Sequence, residues 1–354
     1  MVAPQRIGVL TFHRCINYGS YWQARQLVEG LRARGLDAVL LEHESARVNR
    51  LEWRCALQPL LPIKTSAEDY PRYREKMGKF FAAFDTLPLS QRFALDAAET
   101  MEIFDLILVG SDEVWNLRHP WYGAVPLFYG DGLRAGKLAS YAASFGNYPA
   151  GDGLDPVWAD KLRQFDAIAV RDANSHRLVS EALGFEPTLV LDPCLQFPPT
   201  AEPLVAEAPY LAVYGHGLSG WFREGVRRFA EDKGLRLVSI GYRNDWADES
   251  WIEAGPEEFA RFIAGASAVA TNFFHGCVFA LLNNKPFAAA LSDYRSNKVR
   301  DLMATVGAER HLASAETSAE QYAAILGEAL DPMVAARIEA LRVHSNGYLD
   351  HVLA

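Results

Sequence analysis

The apolar positions of this chain fall into short blocks separated by amphipathic stretches. Runs at 7–11, 38–42, 106–109, 137–142, 167–170 and 189–191 each read as a strand buried on both faces. Residues 21–34 show helical spacing and end at Gly35, so the chain opens as strand, helix, strand, which implies a parallel sheet. A second series follows the Pro-rich stretch Pro198-Pro199-Thr200-Ala201-Glu202-Pro203, which reads as a hinge. Its elements are a strand at 210–214, a helix at 220–233, a strand at 236–240, a helix at 256–264 and a strand-turn-helix unit at 267–286. Residues 48–100 are less periodic and rich in Arg, Trp, Pro and Phe; they read as an insertion of helices and loops packed on the first sheet. The last helical stretches, about 317–328 and 332–343, are candidates to pack back across a cleft. The expected fold class is α/β: two Rossmann-like domains in a GT-B-like arrangement with the active cleft between them. The expected boundaries are 1–198, carrying the insertion 48–100, and 204–354.

The most informative stretch is 267–286. An apolar run ends at Thr271, Asn272 to Phe274 make a short turn, and His275-Gly276 open an apolar helix reaching about Asn284. Pro286 starts the next strand. A histidine is thereby held where a parallel strand hands over to a helix N-terminus. In open α/β sheets that edge binds ligands, and the unpaired N–H groups of the helix favour an anion. The bland alternative is a core histidine bonded to a nearby carbonyl; the turn position and the following glycine favour function.

Composition narrows the class. The chain has 354 residues, half of them apolar and 22% charged, as in ordinary globular enzymes. A net charge of −9 argues against nucleic acid as a partner, yet leaves room for a small anion held by a few placed cations. Cys15, Cys55, Cys194 and Cys277 lie far apart, so neither a zinc site nor a disulfide framework is indicated, and no metal is expected. The N-terminus reads straight into a strand with no signal peptide, and no apolar stretch reaches transmembrane length. A cytoplasmic location is the expectation.

Several polar motifs follow strand ends. Phe12-His13-Arg14 and Asn17-Tyr18-Gly19-Ser20 precede a helix; Gly19 permits close approach to a ligand and Ser20 can cap the helix, or the whole is a plain N-cap loop. Gly110-Ser111-Asp112-Glu113-Val114-Trp115-Asn116 would present polar groups and a stacking ring to a sugar, unless Asp112 caps a helix and Trp115 fills core. Arg171-Asp172, with Ser175 behind, would hold a carboxylate or phosphate through the planar guanidinium. Asp192-Pro193 reads as a capped turn. In the second domain Gly215-His216-Gly217 is a generic ligand loop. Asp293-Tyr294, Asn297 and Lys298 follow the last strand, with Lys298 able to supply a point charge near His275.

Taken in order, these motifs, with Ser140-Tyr141-Ala142-Ala143-Ser144-Phe145-Gly146 and Thr271…Phe274-His275-Gly276…Lys285-Pro286-Phe287, resemble the polysaccharide pyruvyl transferase family from Ile7 to about Leu302. The resemblance implies transfer of a pyruvyl group from phosphoenolpyruvate, a co-substrate rather than a cofactor, to a saccharide or glycoconjugate, forming a ketal. It places Arg171, His275 and Lys298 at the donor. Asn17, Ser111, Asp112 and Trp115 are expected to lie towards the acceptor, and Gly19, Ser20, Asn116, Ser144, His216, Asn272 and Gly276 are further expected substrate-binding residues. The chain departs from the family pattern at Phe273, where many members carry a basic or small polar residue. A lipid-linked acceptor would bring peripheral membrane contact. The alternatives are a glycosyltransferase of the same fold using a nucleotide sugar, with Glu257 or Glu258 on a ribose, and a catalytically silent member that binds saccharide or a partner. Acceptor, ketal position and oligomeric state are not encoded legibly.

Overall fold

The structure, a computed structural model, describes residues 5–59, 64–291 and 296–354. In chain order its elements begin β1 Arg6–Leu10, α1 Tyr18–Ala33, β2 Asp37–Leu40, β3 His43–Glu44, α2 Ala46–Leu57, α3 Tyr70–Phe84 and β4 Phe93–Ala94. They continue β5 Phe104–Val109, β6 Ala135–Ser140, α4 Pro156–Leu162, β7 Ala169–Val170, α5 Ala173–Leu183, β8 Thr188–Leu189 and α6 Pro193–Gln196. The remainder is β9 Tyr210–Tyr214, α7 Gly220–Lys233, β10 Arg236–Ile240, β11 Glu249–Trp251, α8 Pro256–Gly265, β12 Ala268–Thr271 and α9 Phe274–Leu282, then β13 Phe287–Ala290, α10 Ser296–Val306, β14 Leu312–Ala313, α11 Ala319–Gly327 and α12 Pro332–Leu353.

The chain divides into two compact α/β units. The first comprises Met1–Glu52, Phe84–Pro198 and Glu339–Ala354; the second comprises Trp53–Ala83 and Pro199–Ile338. In the first unit a parallel sheet runs β2-β1-β5-β6. Single bridges, Ala139 to Ala167 and Ala143 to Val170, lead from it towards the parallel pair β7-β8. In the second unit six parallel strands run β11-β10-β9-β12-β13-β14. That is the 3-2-1-4-5-6 order of a doubly wound dinucleotide-binding sheet. The central strand β9 is apolar or aromatic throughout because parallel sheets are covered on both faces: all five of its residues are buried.

The insertion differs from expectation. Of residues 48–100 only Trp53–Ala83 leaves the first unit for the second; the two ends of the stretch stay with the first. The cause is charge pairing along α3 and the turn before it. Asp69 takes Arg243 in a fork, with Nε at 2.5 Å and Nη2 at 2.6 Å. Arg72 reaches Glu253 at 2.7 Å, and Lys79 grips Glu258 at 2.9 and 3.0 Å. At the C-terminus α12 runs past the expected end at 343 as one long helix, and from Glu339 onward it belongs to the first unit. There Ser345 Oγ accepts from the Leu191 N–H at 3.0 Å, and the Tyr348 hydroxyl donates to the Ser140 carbonyl at 2.7 Å. Among the described residues no helix is long and apolar enough to cross a membrane.

The fork between Asp69 and Arg243 is lopsided, since the Asp69 side chain is 2% exposed and that of Arg243 is 41% exposed. Removing the arginine strands a buried carboxylate, whereas removing the aspartate leaves a guanidinium that water reaches. Arg243→Ala is therefore expected to cost about 3 kcal/mol, and Asp69→Ala clearly less. Urea unfolding of both variants checks the order; equal losses would contradict this account of how α3 is anchored.

Candidate functional site

In the first unit the strand order reverses between β1 and β5, so a crevice opens beyond their C-terminal ends. The loops there are tied together by side chains. Thr11 Oγ1 donates to the Ser111 carbonyl at 2.9 Å, and Ser20 Oγ donates to Asp112 Oδ2 at 2.7 Å. Asn17, not Ser20, caps α1: its Oδ1 accepts from the N–H groups of Gly19 at 2.9 Å and Ser20 at 3.2 Å. Asp112 sits at φ +72°, in the left-handed region, and its carboxylate takes Ser20 on one oxygen and Arg171 on the other.

Arg171 lies at the centre of this edge with its side chain 2% exposed. Nη2 donates to Asp112 Oδ1 at 3.1 Å and Nη1 to Asp192 Oδ2 at 2.9 Å. Burial opposes its charge, but Asp112, Asp192, Asp172 and Glu113 outweigh that and keep the guanidinium protonated. Asp172 caps α5 through the Ser175 N–H and accepts from Ser144 Oγ at 2.6 Å. The guanidinium expected to hold an incoming anion is thus engaged by two carboxylates, and the group as a whole is net negative.

Other expected acceptor residues divide. Ser111 is fully buried at the switch point, and its Oγ has no hydrogen-bond partner among the described residues. Asn116 spends its amide on Glu113 at 2.7 Å and Asn147 at 2.8 Å. Trp115 is a correction: it is fully buried in the core, its Nε1 donating to the Phe128 carbonyl at 2.8 Å, and no sugar reaches its ring.

The same edge holds buried acids and imidazoles that pattern reading passed over. Burial alone would raise the Glu42 carboxyl, yet hydrogen bonding and charge from His13, at 3.0 Å, and from Arg14, at 2.8 Å, bring it to about 2. Burial, then the neighbouring His13, pushes His43 down to about 3. Glu52 on α2 accepts the Ile16 N–H at 2.6 Å beside Cys15, and burial lifts it to about 7. Strand-end position was a signal for Glu42; Glu52, in an aperiodic stretch, gave none.

In the second unit the reversal falls between β9 and β12, and the expected residues gather there. Thr271 Oγ1 donates to the Tyr214 carbonyl at 2.6 Å and accepts from the Phe273 N–H at 3.0 Å, stapling the ends of the two strands. Asn272 Nδ2 donates to the His216 carbonyl at 2.8 Å, and Asn244 Nδ2 to the Gly215 carbonyl at 2.9 Å. A Cβ on Gly276 would lie 2.1 Å from Thr271 Oγ1, so only glycine lets the first turn of α9 sit against that staple. His275 is thereby fixed as the second residue of α9, 8% exposed, with no side chain capping the helix start.

Phe273 packs edge-on against Tyr214 at 4.8 Å, His216 at 5.2 Å and Tyr242 at 5.7 Å. Lys298 is buried on α10, which packs against α9. Asp293 and Tyr294 lie outside the described residues.

Two doubly wound parallel sheets, each with polar loops drawn together at its switch point, place the chain among α/β proteins that bind ligands at strand ends. The sequence profile of the polysaccharide pyruvyl transferase family matches residues 17–294, and the chain belongs to that family. It is accordingly a saccharide-modifying transferase. No curated protein sequence matches it. Among solved structures it is similar to the UDP-GlcNAc 2-epimerase of Methanocaldococcus jannaschii, at 11% identity over 96% of this chain and 99% of that one, TM-score 0.48. The glycosyltransferase SnogD of Streptomyces nogalater gives 13%, 97% and 95%, TM-score 0.47. E. coli ADP-heptose LPS heptosyltransferase II gives 14%, 96% and 99%, TM-score 0.37. Likeness this distant says nothing about substrate.

Glu52 yields a pH test. A carboxyl raised from 4.5 to about 7 holds its proton more tightly folded than unfolded. Its contribution is complete below about 4.5 and is lost as pH rises through 7, up to roughly 3 kcal/mol. Glu52→Gln should remove that slope, leaving the variant at least as stable as wild type at about pH 8. Urea midpoints at about pH 5 and pH 8 check this; an unchanged slope in the variant would refute it.

Proposed function

We propose that the protein transfers the pyruvyl group of phosphoenolpyruvate to two hydroxyls of a saccharide or glycoconjugate, forming a cyclic ketal and releasing phosphate. The observation that carries this reading is His275, held in the first turn of α9 beyond β12 and inside the stretch matched by the family. The positive end of a helix dipole favours the phosphate or carboxylate of the donor. Lys298, on the helix packed against α9, would add a point charge.

A proton delivered to the donor's methylene carbon makes C2 an electrophile. The first acceptor hydroxyl adds to C2 and passes its proton to the group that protonated the methylene, which is thereby restored. The second then displaces the phosphate by breaking the C2–O bond, and its proton leaves with the phosphate. His275 would supply the first proton or hold the phosphate oxygens as charge grows on them. Arg171 fits a positioning role: its grip on Asp112 and Asp192 turns Asp112 towards an acceptor hydroxyl, with Ser20 on the other oxygen. A lipid-linked acceptor would be met at the membrane surface.

The nucleotide-sugar alternative needs a free carboxylate for a ribose. Glu258, one of the two carboxylates considered, is engaged already, by the Gly255 N–H at 2.6 Å and by Lys79, which weighs against that residue in the ribose role.

Thermal unfolding with phosphoenolpyruvate tests the proposal. Ligand at ~100 times its dissociation constant should stabilise wild type by roughly 2.7 kcal/mol. His275→Ala should lose most of that shift. No shift in wild type at millimolar phosphoenolpyruvate, with a shift produced by UDP, would overturn the donor.

A further inference from the structure

A cavity of about 410 Å³ opens in the second unit, beyond the C-terminal ends of β9 and β10. Its wall is built from the loop after β9, the loop after β10, the first turn of α7 and the turn before α3, and includes His216, Arg223, Arg243, Asn244, Trp246 and Lys64. The volume is that of a small-molecule site. None of the expected donor residues, His275, Lys298 or Arg171, lines it.

The wall is prearranged. Asn244 donates to the Gly215 carbonyl at 2.9 Å and to Ser239 Oγ at 2.8 Å, fixing the two loops to each other. Its Oδ1 accepts from Trp246 Nε1 at 3.2 Å, which orients the half-buried indole. Arg243 is locked by the buried Asp69. Arg223 and Lys64 differ: both are exposed, and among the described residues neither is paired with a carboxylate. Arg223 sits in the first turn of α7. The N-cap residue there, Ser219, makes no capping bond, and its Oγ has no hydrogen-bond partner among the described residues. Unpaired cations beside an uncapped helix start suit a phosphate. An oriented indole face with Asp245 and Glu68 nearby suits the C–H face and hydroxyls of a sugar.

We propose that this cavity binds a phosphorylated saccharide, its phosphate against Arg223 and Lys64 and its sugar over Trp246. The proposal rests on the saccharide half of the reading above and is independent of the phosphoenolpyruvate half.

Calorimetric titration of the full chain tests it, with glucose 1-phosphate, pyrophosphate, glucose and UDP-glucose as probes. Glucose 1-phosphate should bind at least about tenfold more tightly than glucose. Arg223→Glu, at an exposed position, should weaken both phosphate probes by about tenfold or more, and Lys64→Glu should do likewise. Trp246→Ala should weaken glucose 1-phosphate more than pyrophosphate. Tighter binding of UDP-glucose than of glucose 1-phosphate would assign the phosphate to a nucleotide carrier; equal binding would assign it to the sugar phosphate itself. The proposal falls if neither phosphate probe binds at millimolar concentration, or if both charge-reversal variants bind as wild type does. It also falls if Arg223→Glu abolishes the response to phosphoenolpyruvate, since the cavity would then be the donor's. Loss of that response in wild type, with glucose 1-phosphate still binding, would sink the donor assignment and leave this one standing.

Discussion

The buried guanidinium of Arg171 is the constraint on which the first unit's functional edge depends. It sits just after β7 and holds carboxylates that follow β5 and β8, so one charge fixes the loops at separate strand ends. Stripping it away would leave Asp112 and Asp192 buried and unbalanced, a change of order 3–5 kcal/mol. Its electrostatic result is equally plain: this edge carries more negative than positive charge.

The second unit solves the same mechanical problem without charge. Thr271, Asn272 and Asn244 tie the ends of β9, β12 and β10 with hydroxyl and amide hydrogen bonds, and α9 starts with no side-chain cap. The strand-end edge of the second unit thus carries a histidine at a helix start, and that of the first carries a carboxylate-rich lattice. Under the function proposed above, the helix-start edge would take the anionic donor and the carboxylate-rich edge the acceptor hydroxyls. Phe273 fits this division, filling its place with aromatic packing rather than with a further charge.

Much of this was legible in the sequence. Strands covered on both faces are continuous apolar runs, so 210–214 and the helix at 220–233 stand in the structure where periodicity put them. His275 was readable because an apolar strand, a turn and a helix start are adjacent in the chain. What stayed illegible depends on partners far apart in sequence. Asp69 and Arg243 are separated by 174 positions, so nothing local announced that residues 53–83 belong to the second unit. Trp115 had a sugar-stacking motif around it, yet the deciding fact is its hydrogen bond to the Phe128 carbonyl and its place in the core. Arg171 was found, but its two carboxylates follow other strands and only the fold brings them together.

The central claim is that phosphoenolpyruvate gives its carbon skeleton, and not only its phosphate, to a saccharide. Mass spectrometry of a purified glycan acceptor after incubation with enzyme and carbon-13-labelled phosphoenolpyruvate measures this directly. The account predicts labelled carbon on the acceptor, two hydroxyls blocked, and one phosphate released for each pyruvyl transferred. An acceptor that stays unlabelled with phosphoenolpyruvate, yet gains a sugar when a nucleotide sugar is supplied, would contradict it.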